Sequence, residues 1–86
     1  MKINVLFFAS LRELFEKDSI EIAKPENIKT AQDLLDFYAN HEKGPWLELL
    51  AKKNTIRLAI NHSVVDWDSV INDGDEIAFL PPITGG

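Results

Sequence analysis

The chain predicts an α+β fold, a mixed sheet with one main covering helix and short extra helices. Three observations support this. Apolar and polar residues alternate toward both ends of the chain, helical spacing is strongest in its middle, and 86 residues leave room for one domain. A domain this small buries roughly 60% of the surface its unfolded chain exposes, so its stability is expected to be modest and a deep internal pocket is not expected.

Ile3, Val5 and Phe7 alternate with Lys2, Asn4, Leu6 and Phe8, the period of a strand. Ser10-Leu11-Arg12-Glu13 reads as a capping box, opening a short helix with Leu11, Leu14 and Phe15 on one side. Asp18-Ser19 ends it. Ser19 to Ala23 alternates again, so a second strand pairs back on the first until Pro25. Thr30-Ala31-Gln32-Asp33 caps the main helix, with Asp33 acting on the positive end of its dipole. Ala31, Leu34, Leu35 and Tyr38 share one face, and Phe37 widens the stripe. Gly44-Pro45 stops this helix, and Trp46 to Leu50 predicts a further helical turn under the sheet edge.

In the third strand Ile56, Leu58 and Ile60 face one way. Asn61-His62-Ser63 turns the chain, and Val64-Val65 returns as a short strand. Asn72-Asp73-Gly74-Asp75 is a strong turn signal. Glu76 to Leu80 forms the last strand, with Ile77 and Phe79 on one face, and Pro81-Pro82 ends it. Two strands, a covering helix and further strands make the ββαββ order of the β-grasp fold. The expected division is a domain over 1–80 and an extended tail over 81–86. No repeat, linker or low-complexity segment interrupts it.

Composition removes several function classes. Nine Lys and Arg against fourteen Asp and Glu give a net charge of −5, which argues against a nucleic-acid partner. The absence of cysteine removes disulfides, zinc ribbons, thiolate catalysis and iron–sulfur ligation. The apolar run Val5 to Ala9 is far short of the ~20 residues a bilayer needs. Lys2 is the only positive charge before that run and no cleavage site follows, so neither membrane nor export is expected. The sequence reads as a complete cytoplasmic protein.

The tail Ile83-Thr84-Gly85-Gly86 is the most informative feature. It can be read as a frayed end without meaning. Functionally, a carboxylate on two residues without Cβ can thread a narrow channel, and Pro81-Pro82 would stiffen its base and aim it outward. A second clue is misplaced hydrophobicity. If Ile3, Val5, Phe7, Ile77 and Phe79 face the helix, then Leu6, Phe8, Ala78 and Leu80 face outward, where a one-helix sheet should be polar. Leu6, Phe8 and Leu80, with Val64, form a candidate docking surface, unless Trp46 or a loop covers it.

Other candidates are weaker. His41 and His62 are isolated and read as solvated, with no second ligand at metal spacing, so no metal is expected. Asp73-Gly74-Asp75-Glu76 lacks the twelve-residue calcium loop and reads as a turn. Asp66, Asp68, Asp73, Asp75 and Glu76 concentrate negative charge, either as a solvated face or as a complement to a basic cleft. Ser10 and Ser63 have no base assigned by sequence.

Leu6-Phe7-Phe8-Ala9-Ser10-Leu11-Arg12-Glu13 resembles the opening of the small subunit of molybdopterin synthase. Asn61 to Val65, and Asp73 to Gly86 with its Phe-Leu-Pro-Pro and terminal Gly-Gly, resemble that family's second half. The resemblance implies a ubiquitin-like β-grasp sulfur carrier. A ubiquitin-activating-like adenylyltransferase would use ATP to adenylate Gly86, and a sulfur donor would convert it to a thiocarboxylate. The loaded tail, from Pro81, Pro82, Ile83 and Thr84 to Gly85 and Gly86, would enter the large subunit of a heterotetramer of two small and two large chains. There sulfur passes to a cyclic pyranopterin precursor to build the molybdopterin dithiolene.

Family docking positions fall on Phe8, Val64 and Leu80, with Leu6 and Arg12 beside them. Leu80 departs from the Phe that many members carry. The resemblance implies no bound cofactor and assigns catalytic side chains to the partners, leaving this chain a co-substrate. Lacking thiols, it has only the Gly86 carboxylate to carry sulfur. A sulfur carrier for thiamine or another pathway, a ubiquitin-like modifier and a plain binding module are the alternative readings.

Overall fold

A computed structural model describes residues 2–81 of the chain. In chain order these form β1 (Lys2–Phe7), α1 (Ser10–Phe15), β2 (Ser19–Ala23), α2 (Ala31–His41), α3 (Pro45–Ala51), a 3-10 turn (Lys53–Thr55), β3 (Arg57–Ile60), β4 (Ser63–Val65) and β5 (Glu76–Leu80). The order is the expected one. One five-stranded sheet runs β2-β1-β5-β3-β4. β1 and β5 pair in parallel, with Val5 opposite Ile77 and Phe7 opposite Phe79, while the other pairs are antiparallel. The first and last strands therefore lie side by side at the centre.

Alternation sorts the side chains by face. Ile3, Val5, Phe7, Leu58, Ile77 and Phe79 are buried and join Leu34 and Leu35 of α2 in one core. Ala39 completes the buried face of α2, where sequence spacing pointed to Tyr38. Tyr38 is half-buried, and its hydroxyl donates to the Ala23 carbonyl oxygen at 2.7 Å. Trp46 lies deeper than the expected position under the sheet edge. It is only 6% exposed, and its ring meets Phe7, Phe15, Tyr38 and Phe79 at centroid distances of 5.0–6.4 Å. The single large indole bridges helices and sheet, which draws the short α3 into the core.

The two helix starts differ. Thr30 forms a full reciprocal box: its hydroxyl oxygen accepts from the Asp33 N–H at 3.1 Å, and the Asp33 carboxylate accepts from the Thr30 N–H at 3.2 Å. Asp33 thus acts through hydrogen bonds as well as through the helix dipole. At α1 the expected box on Ser10 is absent. The helix begins one residue earlier than that box requires, with Ala9 at the cap and no side-chain cap bond. The Leu11 and Arg12 N–H groups donate instead to the Phe8 and Ala9 carbonyls, at 3.1 and 3.0 Å.

Ala9 holds φ 52° and ψ −124°, nearly the conformation of Gly44 at the cap of α3 (φ 53°, ψ −129°). Glycine takes this geometry freely, whereas alanine there stores on the order of 1–3 kcal/mol of strain. Gly44-Pro45 starts α3 as much as it stops α2, with proline at the first helical turn, where no N–H is needed.

The Asp33 carboxyl is held below the usual carboxylate range, first by the Thr30 N–H and then by the Lys29 N–H. Its contribution to stability is present above the ordinary carboxylate value and is lost as pH falls through the lower folded value. Asp33→Asn is therefore expected to flatten the acid limb of the stability curve below about pH 4, the ordinary carboxylate value. Thermal melts across that range check this, and an unchanged acid limb would contradict it.

Candidate functional site: an apolar outer face beside the tail

The register of four strands lines up one row on the side of the sheet away from the helices. Leu6 on β1 pairs with Ala78 on β5, Ala78 with Ala59 on β3, and Ala59 with Val64 on β4. One step toward the C-terminal end of β5, Leu80 pairs with Arg57, and Phe8 follows directly on β1. Phe8 is 38% exposed and Val64 61%, while Leu6, Ala78 and Leu80 are half-buried. This is the face that alternation predicts.

The remainder of that face is polar. Lys2, Asn4 and Glu21 are exposed, with Lys2 paired to Glu21 at 3.2 Å, and Glu76 pairs with Asn4 across the strands. The sheet's outer side is thus divided, apolar near the C-terminal end of β5 and charged at the other. Exposed apolar patches of this kind are common where proteins bind partners or ligands. Trp46 does not cover this one, because it packs on Phe7 and Phe79 from the helix side. Complete burial of a side chain such as Val64 or Phe8 against a partner would be worth about 1.5–3 kcal/mol.

The tail root is placed by topology. Central β5 runs parallel to β1 and ends at Leu80, so the chain leaves the sheet beside Phe8. Pro81 is half-buried and lines a groove of about 230 Å³ with Leu11, Leu14 and Ile56. Pro82, Ile83, Thr84, Gly85 and Gly86 lie outside the described residues. Arg12, one turn into α1, is exposed and forms an ion pair with Asp18 at 3.1 Å.

The acidic residues serve two purposes. Asp73 and Asp75 build the turn before β5: Asp73 accepts from the Lys2 N–H and Asp75 from the Asn72 N–H, both at 2.7 Å. Gly74 supplies the positive φ of 87° that this turn requires. Asp75 also accepts from the Asn61 side chain, which in turn accepts from the Glu76 N–H, tying the β3–β4 turn to the base of β5. Asp66 and Asp68 are exposed.

His62 is exposed, 3.5 Å from Glu76, and the His41 Nδ1–H donates within its own helix to the Phe37 carbonyl oxygen at 2.8 Å. Ser10 and Ser63 are exposed. Among the described residues no three His, Asp or Glu side chains gather where they could hold a metal ion. No helix among them is long and apolar enough to cross a membrane.

Sequence reasoning missed two members of the face. Ala59 is only 7% exposed yet points outward, and Arg57 sits opposite Leu80. Both alternate with Leu58 and Ile60, so their direction was readable, but their neighbours required the register.

Known proteins bear on this surface and tail. Residues 5–86 match the model of the ThiS family. The molybdopterin synthase sulfur carrier subunit of Haemophilus influenzae is 39% identical over 98% of this chain and 99% of its own length. Among solved structures, SAMP1 from Haloferax volcanii superposes with a TM-score of 0.77 at 23% identity, each chain fully covered. A complex of subunits 1 and 2 of the molybdopterin-converting factor from Helicobacter pylori contains a chain with TM-score 0.66 at 24% identity, again with full coverage. These two likenesses establish the β-grasp fold. With one family model spanning nearly all of it and a full-length relative at that identity, the chain belongs to the ThiS family, alongside the molybdopterin synthase sulfur carrier subunits.

Proposed function

We propose that this chain is the sulfur carrier subunit of a molybdopterin synthase, acting in the cytoplasm with its apolar outer face docked on a large subunit. The observation that carries the reading is the full-length likeness to relatives of that name. The row Leu6, Ala78, Ala59 and Val64, with Leu80 and Phe8 beside the root of the tail, supplies the surface such a carrier needs.

In this reading the chain is a substrate of its partners. A free carboxylate is a poor electrophile, so a partner adenylyltransferase joins the Gly86 carboxylate to the α-phosphate of ATP and releases pyrophosphate. A sulfur donor then displaces AMP and leaves a thiocarboxylate. In the large subunit that sulfur passes to a cyclic pyranopterin, and water returns Gly86 to the carboxylate. Glycine at the end offers no side chain to obstruct attack. Enclosure in the partner supplies orientation and excludes water until transfer. Acids, bases and oxyanion donors come from the partners, and two small with two large chains make the working assembly.

The test is the intact mass of the chain after incubation with ATP, an activating enzyme and a sulfur source. The expected gain is that of one oxygen replaced by one sulfur, localised to the C-terminal peptide. An unchanged mass with an enzyme that loads related carriers would overturn the reading.

A further inference from the structure

The apolar face has one charge set into it. Arg57 pairs with Leu80 across β3 and β5, and its alternation places it on the same side of the sheet as Ala59 and Val64. Among the described residues it forms no ion pair, whereas Lys2, Arg12 and Lys52 each have an acidic partner. Asp66 follows β4 on the neighbouring strand, but the β3–β4 ladder ends at Leu58 and Val65, and no ion pair joins Asp66 to Arg57. Where those strands part, a cleft of about 630 Å³ opens.

Arg57 and Lys53 bring two positive charges to that cleft against the single negative charge of Asp66, with Val64 and Trp67 among its walls. Lys53 is engaged, donating to the Gln32 side chain on α2, so Arg57 is the cation left for a visitor. The cleft is continuous with the apolar face, since Arg57 and Val64 belong to both.

These features have one consequence. A partner that covers Leu80 and Val64 also strips water from the guanidinium between them. An unpaired charge there costs affinity, while a carboxylate meeting it bidentately restores what solvation gave up. We propose that Arg57 selects the partner: the large subunit places an acidic side chain, carried on a segment that enters the cleft between β3 and β4, against the Arg57 guanidinium. This rests on the proposed role as a synthase small subunit and adds to it the chemistry of the matching surface. In a chain of net charge −5, an acidic contact is otherwise disfavoured, so Arg57 also fixes the orientation in which the two proteins meet.

The experiment measures affinity for the cognate large subunit by titration calorimetry, at low and high salt. Arg57→Glu is expected to weaken binding by at least about tenfold, with a carboxylate now facing a carboxylate. Arg57→Met keeps much of the stem's apolar contact but should weaken binding by a smaller factor and reduce its salt dependence. Lys43→Glu, on the connection between α2 and α3, makes the same change in net charge away from the face and should leave affinity unchanged. Circular dichroism confirms that each variant is folded. If Arg57→Glu binds as the wild type does, or Lys43→Glu weakens binding equally, the selective role is wrong. Failure of the wild-type chain to bind the large subunit overturns the synthase reading itself, a separate outcome.

Discussion

Deleting Gly86, or adding one alanine after it, is expected to abolish sulfur loading while leaving the thermal melt of the domain unchanged. The described fold ends its last strand at Leu80, five residues before Gly85 and six before Gly86, so neither change touches the core. The chemistry tolerates neither. An added residue moves the carboxylate by about 3.3–3.6 Å along an extended chain and gives it a side chain. A shift of even about 1 Å from the reacting atom costs on the order of a hundredfold in rate, so loading should fall below detection. Incorporation of labelled AMP by the activating enzyme, followed by intact mass, provides the check. Continued adenylation of the extended chain would show that the activating enzyme does not read the position of the terminal carboxylate, against the expected result. A binding module would lose nothing by either change.

The second large effect separates two adjacent phenylalanines. Phe7 is 1% exposed and stacks on Phe15 at 3.9 Å between centroids, with Trp46 and Phe79 around it. Phe7→Ala should cost about 3–5 kcal/mol, a large fraction of the stability of so small a domain. Urea titration should therefore show a midpoint shifted far down or no folded baseline at all. Phe8 points the other way. Phe8→Asp should leave the unfolding free energy from the same titration within about 0.5 kcal/mol of wild type, as a surface change does, yet remove the complex with the large subunit. The two results stand together, because both follow from one alternation along β1. A Phe8→Asp chain that unfolds, or one that still binds tightly, would place Phe8 on the wrong face.

That alternation shows how much the sequence could reveal. Val5, Phe7, Ile77 and Phe79 alternate so regularly that both faces of the central strands could be assigned before their pairing was known. Sidedness is local, which is why the apolar outer face was legible. Depth was less so. Trp46 sits in a seven-residue helix, and only the approach of Tyr38, Phe7 and Phe79 from distant segments decides that it is core.

The misplaced box at Ser10 has another cause. Its residue types fit a cap, but β1 ends at Phe7 and the turn through Ala9 lets backbone carbonyls satisfy the first helical N–H groups. Arg57 is a matter of register. Nothing in Thr55-Ile56-Arg57 announces that Leu80, far along the chain, will be its neighbour.

The parallel pairing of β1 with β5 also bears on how the molecule is made. β2-β1 on one side and β3-β4 on the other join only through β5, the last strand. Each half alone is a two-stranded hairpin, which is marginal in water. The central contacts, such as Val5 with Ile77, close loops spanning most of the chain, so they form late and together. A growing polypeptide therefore has no stable sheet until Glu76 to Leu80 can dock. A chain still missing its last strand has no completed outer face to present to any partner.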